Sequence, residues 1–161
     1  MDQQILTDTL KYGFRISHTE EGWIEPLLDA VNGVDFETAK WKPAPKVASI
    51  WEIVAHAIPY TESRLCDFTG ATKEEEPDWP EIADPTPEAW AQLQERARKV
   101  VSEFQSVLEA ASGEEIAGPK PGKKTPRAER LMDIVVHDAY HAGQIVKLKQ
   151  AYKSRAALAH A

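Results

Sequence analysis

Two histidines, His137 and His141, stand four residues apart in the run His137-Asp138-Ala139-Tyr140-His141-Ala142-Gly143-Gln144-Ile145. The surrounding pattern is helical. Four residues make little more than one turn, so both imidazoles leave the same face, one above the other. That spacing suits a shared metal ion but does not complete a site. The third candidate ligand is His56, two turns into an earlier apolar helix. Neutral imidazole binds Zn, Ni, Cu or Fe near neutral pH. Three protein ligands with an open position form the pattern of catalytic zinc, which brings the pKa of a bound water to about 7 and polarises carbonyls. Such an ion can equally hold a thiol as thiolate. Glu52, one turn before His56, is a candidate base or orienting group, although its position also suits a helix cap. Asp138 and Tyr140 are further candidates for orienting the ligands. A reading without metal stays open, because buried histidines also hydrogen-bond to one another or to carboxylates.

The elements that must carry these side chains are helices. On a helical wheel Leu131, Ile134, His137, Asp138, His141, Ile145 and Leu148 fall within about a third of the circumference. This helix opens at Thr125-Pro126 and is expected to run to about Tyr152. Ser49-Ile50-Trp51-Glu52 has the capping-box spacing and starts the helix of His56, which Gly70 should stop. Its stripe is Ile50, Ile53, Val54, Ala57, Ile58, Leu65 and Phe68. Pro59 cannot donate to the carbonyl of Ala55, so a kink is expected beside His56. Thr86-Pro87-Glu88 opens the cleanest amphipathic helix, running to Ser112 and stopping at Gly113.

A first long helix is expected over residues 3–32, broken near 22–26 by Gly22 and Pro26 and ended by Asn32-Gly33. His18, in the polar stretch Ser17-His18-Thr19-Glu20-Glu21, reads as a surface residue. A connector over 34–48 carries Trp41-Lys42-Pro43-Ala44-Pro45. Loops follow at 71–85, acidic and bearing Trp79, and at 113–124. The first of these exceeds the usual connection length and reads equally as a lid or as a surface crossover. The expected architecture is all-α: a four-helix bundle with long crossover connections, one domain over 1–153, and a short tail over 154–161 in which His160 is discounted as a ligand.

Composition narrows the function classes. The 161 residues are 42% hydrophobic and 28% charged, which is ordinary for a globular domain. Acids outnumber bases, 26 to 19, which argues against general nucleic-acid binding. The cluster Lys120, Lys123, Lys124 and Arg127 lies in a Pro/Gly-rich loop and reads as solvated. Cys66 is the single cysteine, so no intrachain disulfide forms and a reducing cytoplasm is the expected home. It lies about 15 Å along the helix from His56, too far to be a fourth ligand. The N-terminus lacks the order of a signal peptide, and no apolar run approaches the ~20 residues that cross a bilayer. The expected partner is a small-molecule substrate, with no nucleic acid and no membrane.

Ser49-Ile50-Trp51-Glu52 leading to His56, Trp41-Lys42-Pro43-Ala44-Pro45 upstream and His137-x-x-x-His141-Ala142-Gly143-Gln144-Ile145 at the end resemble the DinB/YfiT-like superfamily, over nearly the whole chain. The resemblance implies a four-helix bundle, often a homodimer. It also implies a divalent metal, zinc or nickel, on one histidine of the second long helix and two of the fourth: His56, His137 and His141. Ala142 departs from the basic residue often found before Gly-Gln. Activities in that family are mixed and include thiol-dependent S-transferases, isomerases and hydrolases. The expectation is a metal-dependent enzyme activating water or a low-molecular-weight thiol co-substrate toward a small electrophile. Its rival is a non-enzymatic metal- or ligand-binding bundle or interaction module, in which the acidic loop and Trp79 carry the function.

Overall fold

Caps and breakers set the helix limits. In the computed structural model, which describes residues 3–158, the chain is all-α, with no strand among those residues. The helices are α1 (Gln3–His18), α2 (Leu27–Val31), α3 (Phe36–Lys40), α4 (Ile50–Thr69), α5 (Pro87–Ala110), α6 (Gly113–Ala117) and α7 (Arg127–Leu158). At the start of α4, Glu52 N donates to Ser49 Oγ at 3.2 Å and Ser49 N donates to Glu52 Oε2 at 2.8 Å. The reciprocal pair satisfies two donors that a helix start leaves orphaned. Gly70 ends α4 at φ 75, a left-handed conformation that a side chain would disfavour. The helix continues through Pro59. Thr86 Oγ1 accepts from Ala89 N at 3.1 Å to start α5, with Pro87 in the first turn.

Elsewhere the limits differ from expectation. The first helix ends at His18, earlier than the expected break, and the chain becomes helical again only after Pro26. Pro26 has no N–H and takes extended backbone, φ −62 and ψ 150, so it starts α2 instead of continuing α1. The connector contains α3, capped by Asp35 Oδ1 accepting from Thr38 N at 2.7 Å. The second loop contains α6, with its own capping box of Ser112 and Glu115. Gly113 therefore opens a helix instead of merely stopping one. A Cβ on it would lie 2.9 Å from Thr7 Oγ1, so glycine permits the close approach of α6 to α1. α7 begins at Arg127, after Pro126, and runs beyond Tyr152 to Leu158. His160 lies outside the described residues.

The long helices α1, α4, α5 and α7 pack on one another, α7 against both α1 and α4, and α5 against α4 and α1. Their shared core includes Phe14, Leu27, Ile50, Val54, Ile58, Val101, Phe104, Leu108, Leu131 and Ile145, all essentially sealed from solvent. Phe14 meets Phe104 edge-on at 4.8 Å. The buried face of α1 is Thr7, Leu10, Phe14, Ser17 and His18, whereas Ile5 and Trp23 are exposed. Trp90 Nε1 donates to Val34 O at 2.7 Å and pins the connector to α5. Trp41 packs edge-on to Tyr152 at 5.5 Å. None of the described helices is long and apolar enough to cross a membrane.

Replacing Ser49 by Ala removes the cap of α4. The expected loss is about 1 kcal/mol of unfolding free energy, read by urea denaturation.

Candidate metal centre

Because α4 packs against α7, one imidazole from α4 meets two from α7. His56 Nε2 lies 3.1 Å from His137 Nε2, and His141 Nε2 lies 3.2 Å from the same atom. The three histidines each offer one ligand atom, and these atoms lie within 4.8 Å of one another. His56 and His141 are buried, while the His137 side chain keeps 27% exposure.

The outer nitrogens decide what the inner ones can do. His56 Nδ1 donates to the backbone carbonyl of Asp78 at 2.6 Å, His137 Nδ1 to Asp138 Oδ1 at 2.7 Å, and His141 Nδ1 to Gln144 Oε1 at 2.7 Å. Gln144 presents its oxygen because its amide nitrogen donates to Tyr140 Oη at 3.0 Å. All three partners accept, so each neutral ring carries its proton on Nδ1 and turns a bare Nε2 lone pair inward. Three lone pairs this close repel one another. A cation at their meeting point removes the conflict, and neutral imidazoles held from behind by oxygen acceptors are a fitting donor set for a divalent transition metal. Burial, with His137 and His56 alongside, holds the His141 imidazole below its usual 6.5, against the pull of Gln144 and Asp138. Its neutral, ligating form is thereby favoured.

Asp138 is fully buried. Burial alone would raise its pKa, but hydrogen bonds from His137, His18 and Thr61 prevail and bring it down to about 2. His18 Nε2 donates to Asp138 Oδ2 at 2.9 Å and Thr61 Oγ1 to the same oxygen at 2.7 Å. His18, expected at the surface, is thus 0% exposed. It stacks on Phe14 at 4.1 Å, and its Nδ1 meets Ser17 Oγ and Phe14 O at 2.7 and 3.0 Å. The spacing Leu10, Phe14, His18 continues the buried stripe of α1 and was the available signal; the polar neighbours of His18 obscured it.

Glu52 stands elsewhere. Its carboxylate accepts from Ser49 N and Oγ and from Lys42 Nζ at 2.7 Å, with no hydrogen bond to His56. Burial opposes its ionisation, yet Lys42 and Ser49 hold its pKa below the usual value. Tyr140 is exposed, with its ring 5.3 Å from that of His141.

The 71–85 loop lies across His56 and supplies contacts that sequence spacing did not reveal. Trp79 stacks on the His56 ring at 4.0 Å and 4°. Tyr60 donates to Asp78 Oδ1 at 2.7 Å, and its ring lies 5.1 Å from that of His137. The loop is strapped down by Arg96, which donates to Glu62 at 2.6 Å and to Glu76 at 2.7 Å, and by Lys73, 3.6 Å from Glu62 of α4. The basic cluster of the second loop is also not simply solvated. Arg127 Nε donates to Asp67 O at 2.8 Å, and Lys120 lies 3.5 Å from Asp67 Oδ1, so both tie that loop to α4. Cys66 is half-buried and outside the histidine cluster.

The chain matches the family model described as the DinB superfamily over residues 18–145, a span that holds all three histidines. No curated protein and no solved structure matches the chain. Two substitutions separate the roles around Asp138. His18→Leu removes the buried ion-pair partner of Asp138 Oδ2, leaving Thr61 as its only donor, and should cost about 3 kcal/mol in urea unfolding. Asp138→Asn should leave the fold standing but weaken metal affinity about 10- to 100-fold in a competition titration with a chelator.

Proposed function

The chain belongs to the DinB superfamily, and we propose that it is a divalent-metal-dependent enzyme that activates a low-molecular-weight thiol or water toward a small electrophile. Its four long helices are read here as the family's four-helix bundle, with the segment between α2 and α4 as a crossover. The observation that carries the proposal is the convergence of three Nε2 atoms whose rings each have Nδ1 committed to an oxygen. His56, His137 and His141 hold the ion; an all-imidazole set suits zinc, nickel, copper or iron, and the family analogy favours zinc or nickel. When bound, the ion supplies Lewis acidity and a lowered pKa for a coordinated water or thiol.

The chain's own residues do the rest. Asp138, Gln144 and the Asp78 carbonyl fix the three rings in rotation and tautomer. Trp79 shields the His56 face and Tyr60 borders His137, limiting water to the exposed edge of His137. No carboxylate or thiol among the described residues joins the cluster, which supports an open position for the reactant and not a closed structural site. Thiol transfer is preferred over hydrolysis on family analogy. The single cysteine suits a reducing cytoplasm.

Elemental analysis of untagged protein should find about one zinc or nickel per chain, and His141→Ala should lose it. The metal-loaded protein should accelerate the reaction of a small thiol with an aryl halide, and His141→Ala should not. Equal rates for the two proteins would remove the enzyme reading.

A further inference from the structure

Beside the histidines, α7 and the segment entering α4 leave an apolar groove of about 550 Å³, its floor made by Val47, Ala48, Ile53, Tyr140, Gly143 and Leu148. Across Val47 and Ala48 lies a second recess of about 320 Å³, reaching Lys42, Lys46 and Trp79. These sizes suit a small molecule, not a macromolecular face. The groove touches the metal centre through its supports. Gln144, which lines it, accepts from His141, and Trp79, which lines the recess, stacks on His56. Gly143 faces open space: a Cβ built there meets nothing within 4 Å.

The charge around this floor is one-sided. Lys42 is neutralised by Glu52 at 2.7 Å. Lys46 pairs with no carboxylate among the described residues, and the ammonium of Lys147 meets only the Gln150 amide at 3.3 Å. Lys147 thus borders the groove and Lys46 the recess that shares Val47 and Ala48 with it, two uncompensated cations on a chain of net charge −7. Surface positive charge on an acidic protein steers anions to the place where it stands.

We propose that the groove binds a small amphipathic anion behind His141, next to the groups that support the metal centre. An aliphatic or aromatic body lies on Ile53, Leu148 and the backbone of Gly143, and an acid group is met by Lys46 and Lys147. This binding does not depend on the metal-centre reading above.

Isothermal titration of decanoate, decanol and decylammonium into metal-loaded and metal-free protein tests it. Decanoate should bind most tightly, and its advantage over decanol should shrink as salt screens the lysines. Lys46→Gln with Lys147→Gln should weaken decanoate about tenfold and leave decanol unchanged. Gly143→Leu should abolish decanoate binding while keeping the metal content, because its side chain fills the groove and leucine favours helix over glycine. Indifference of binding to probe charge, retention of binding by Gly143→Leu, or a change of oligomeric state in that variant pointing to a second copy in the groove would each overturn the proposal. Decanoate binding to a protein that takes up no metal would sustain the groove and sink the enzyme reading. Metal uptake without decanoate binding would do the reverse.

Discussion

A single buried carboxylate organises this protein. Asp138 has no exposure to water, yet three donors keep it ionised: His18 from α1, Thr61 from α4 and His137 from its own helix. An unpartnered charge at such depth would be severely unfavourable. The three helices must therefore meet in a register that brings all three donors to one group. That junction also sets the rotation of the His137 ring, so the geometry of the histidine cluster is inherited from helix packing.

The same logic repeats at the other two rings with different materials. His141 is held by Gln144 one turn further along α7, a partner that helical periodicity supplies at no topological cost. His56 is held by a backbone carbonyl of the 71–85 loop, which in turn depends on the ion pairs of Arg96 with Glu76 and of Lys73 with Glu62. The loop is accordingly part of the site wall. The three rings differ in exposure as a result: two are sealed and His137 keeps an edge to solvent. Glu52 illustrates the competing demand. A carboxylate that completes a capping box and accepts from a lysine has its oxygens occupied, and the helix start takes precedence over the histidine one turn away.

Much of this was legible locally. The capping box at Ser49, the Thr86-Pro87 start, the Gly70 stop and the shared face of His137 and His141 follow from backbone hydrogen bonding and a period of 3.6 residues, both written in neighbouring positions. The short helices α3 and α6 were missed although Asp35 and Ser112 cap them, because Pro- and Gly-rich surroundings masked the signal. α1 ends at His18, short of the expected break near 22–26, and the apolar Trp23 beyond it stands in water, so hydrophobicity alone did not mark the limit.

Periodicity alone determined that the protein is helical, which helices carry imidazoles, and that one face of the last helix presents two of them. It did not determine what stands behind those rings. The carbonyl of Asp78 is 22 residues from His56, and His18 is 120 residues from Asp138. No local rule encodes contacts at those separations. Tertiary packing made them, because burying the apolar stripes of α1, α4 and α7 together forces every polar group trapped between them to find its partner there.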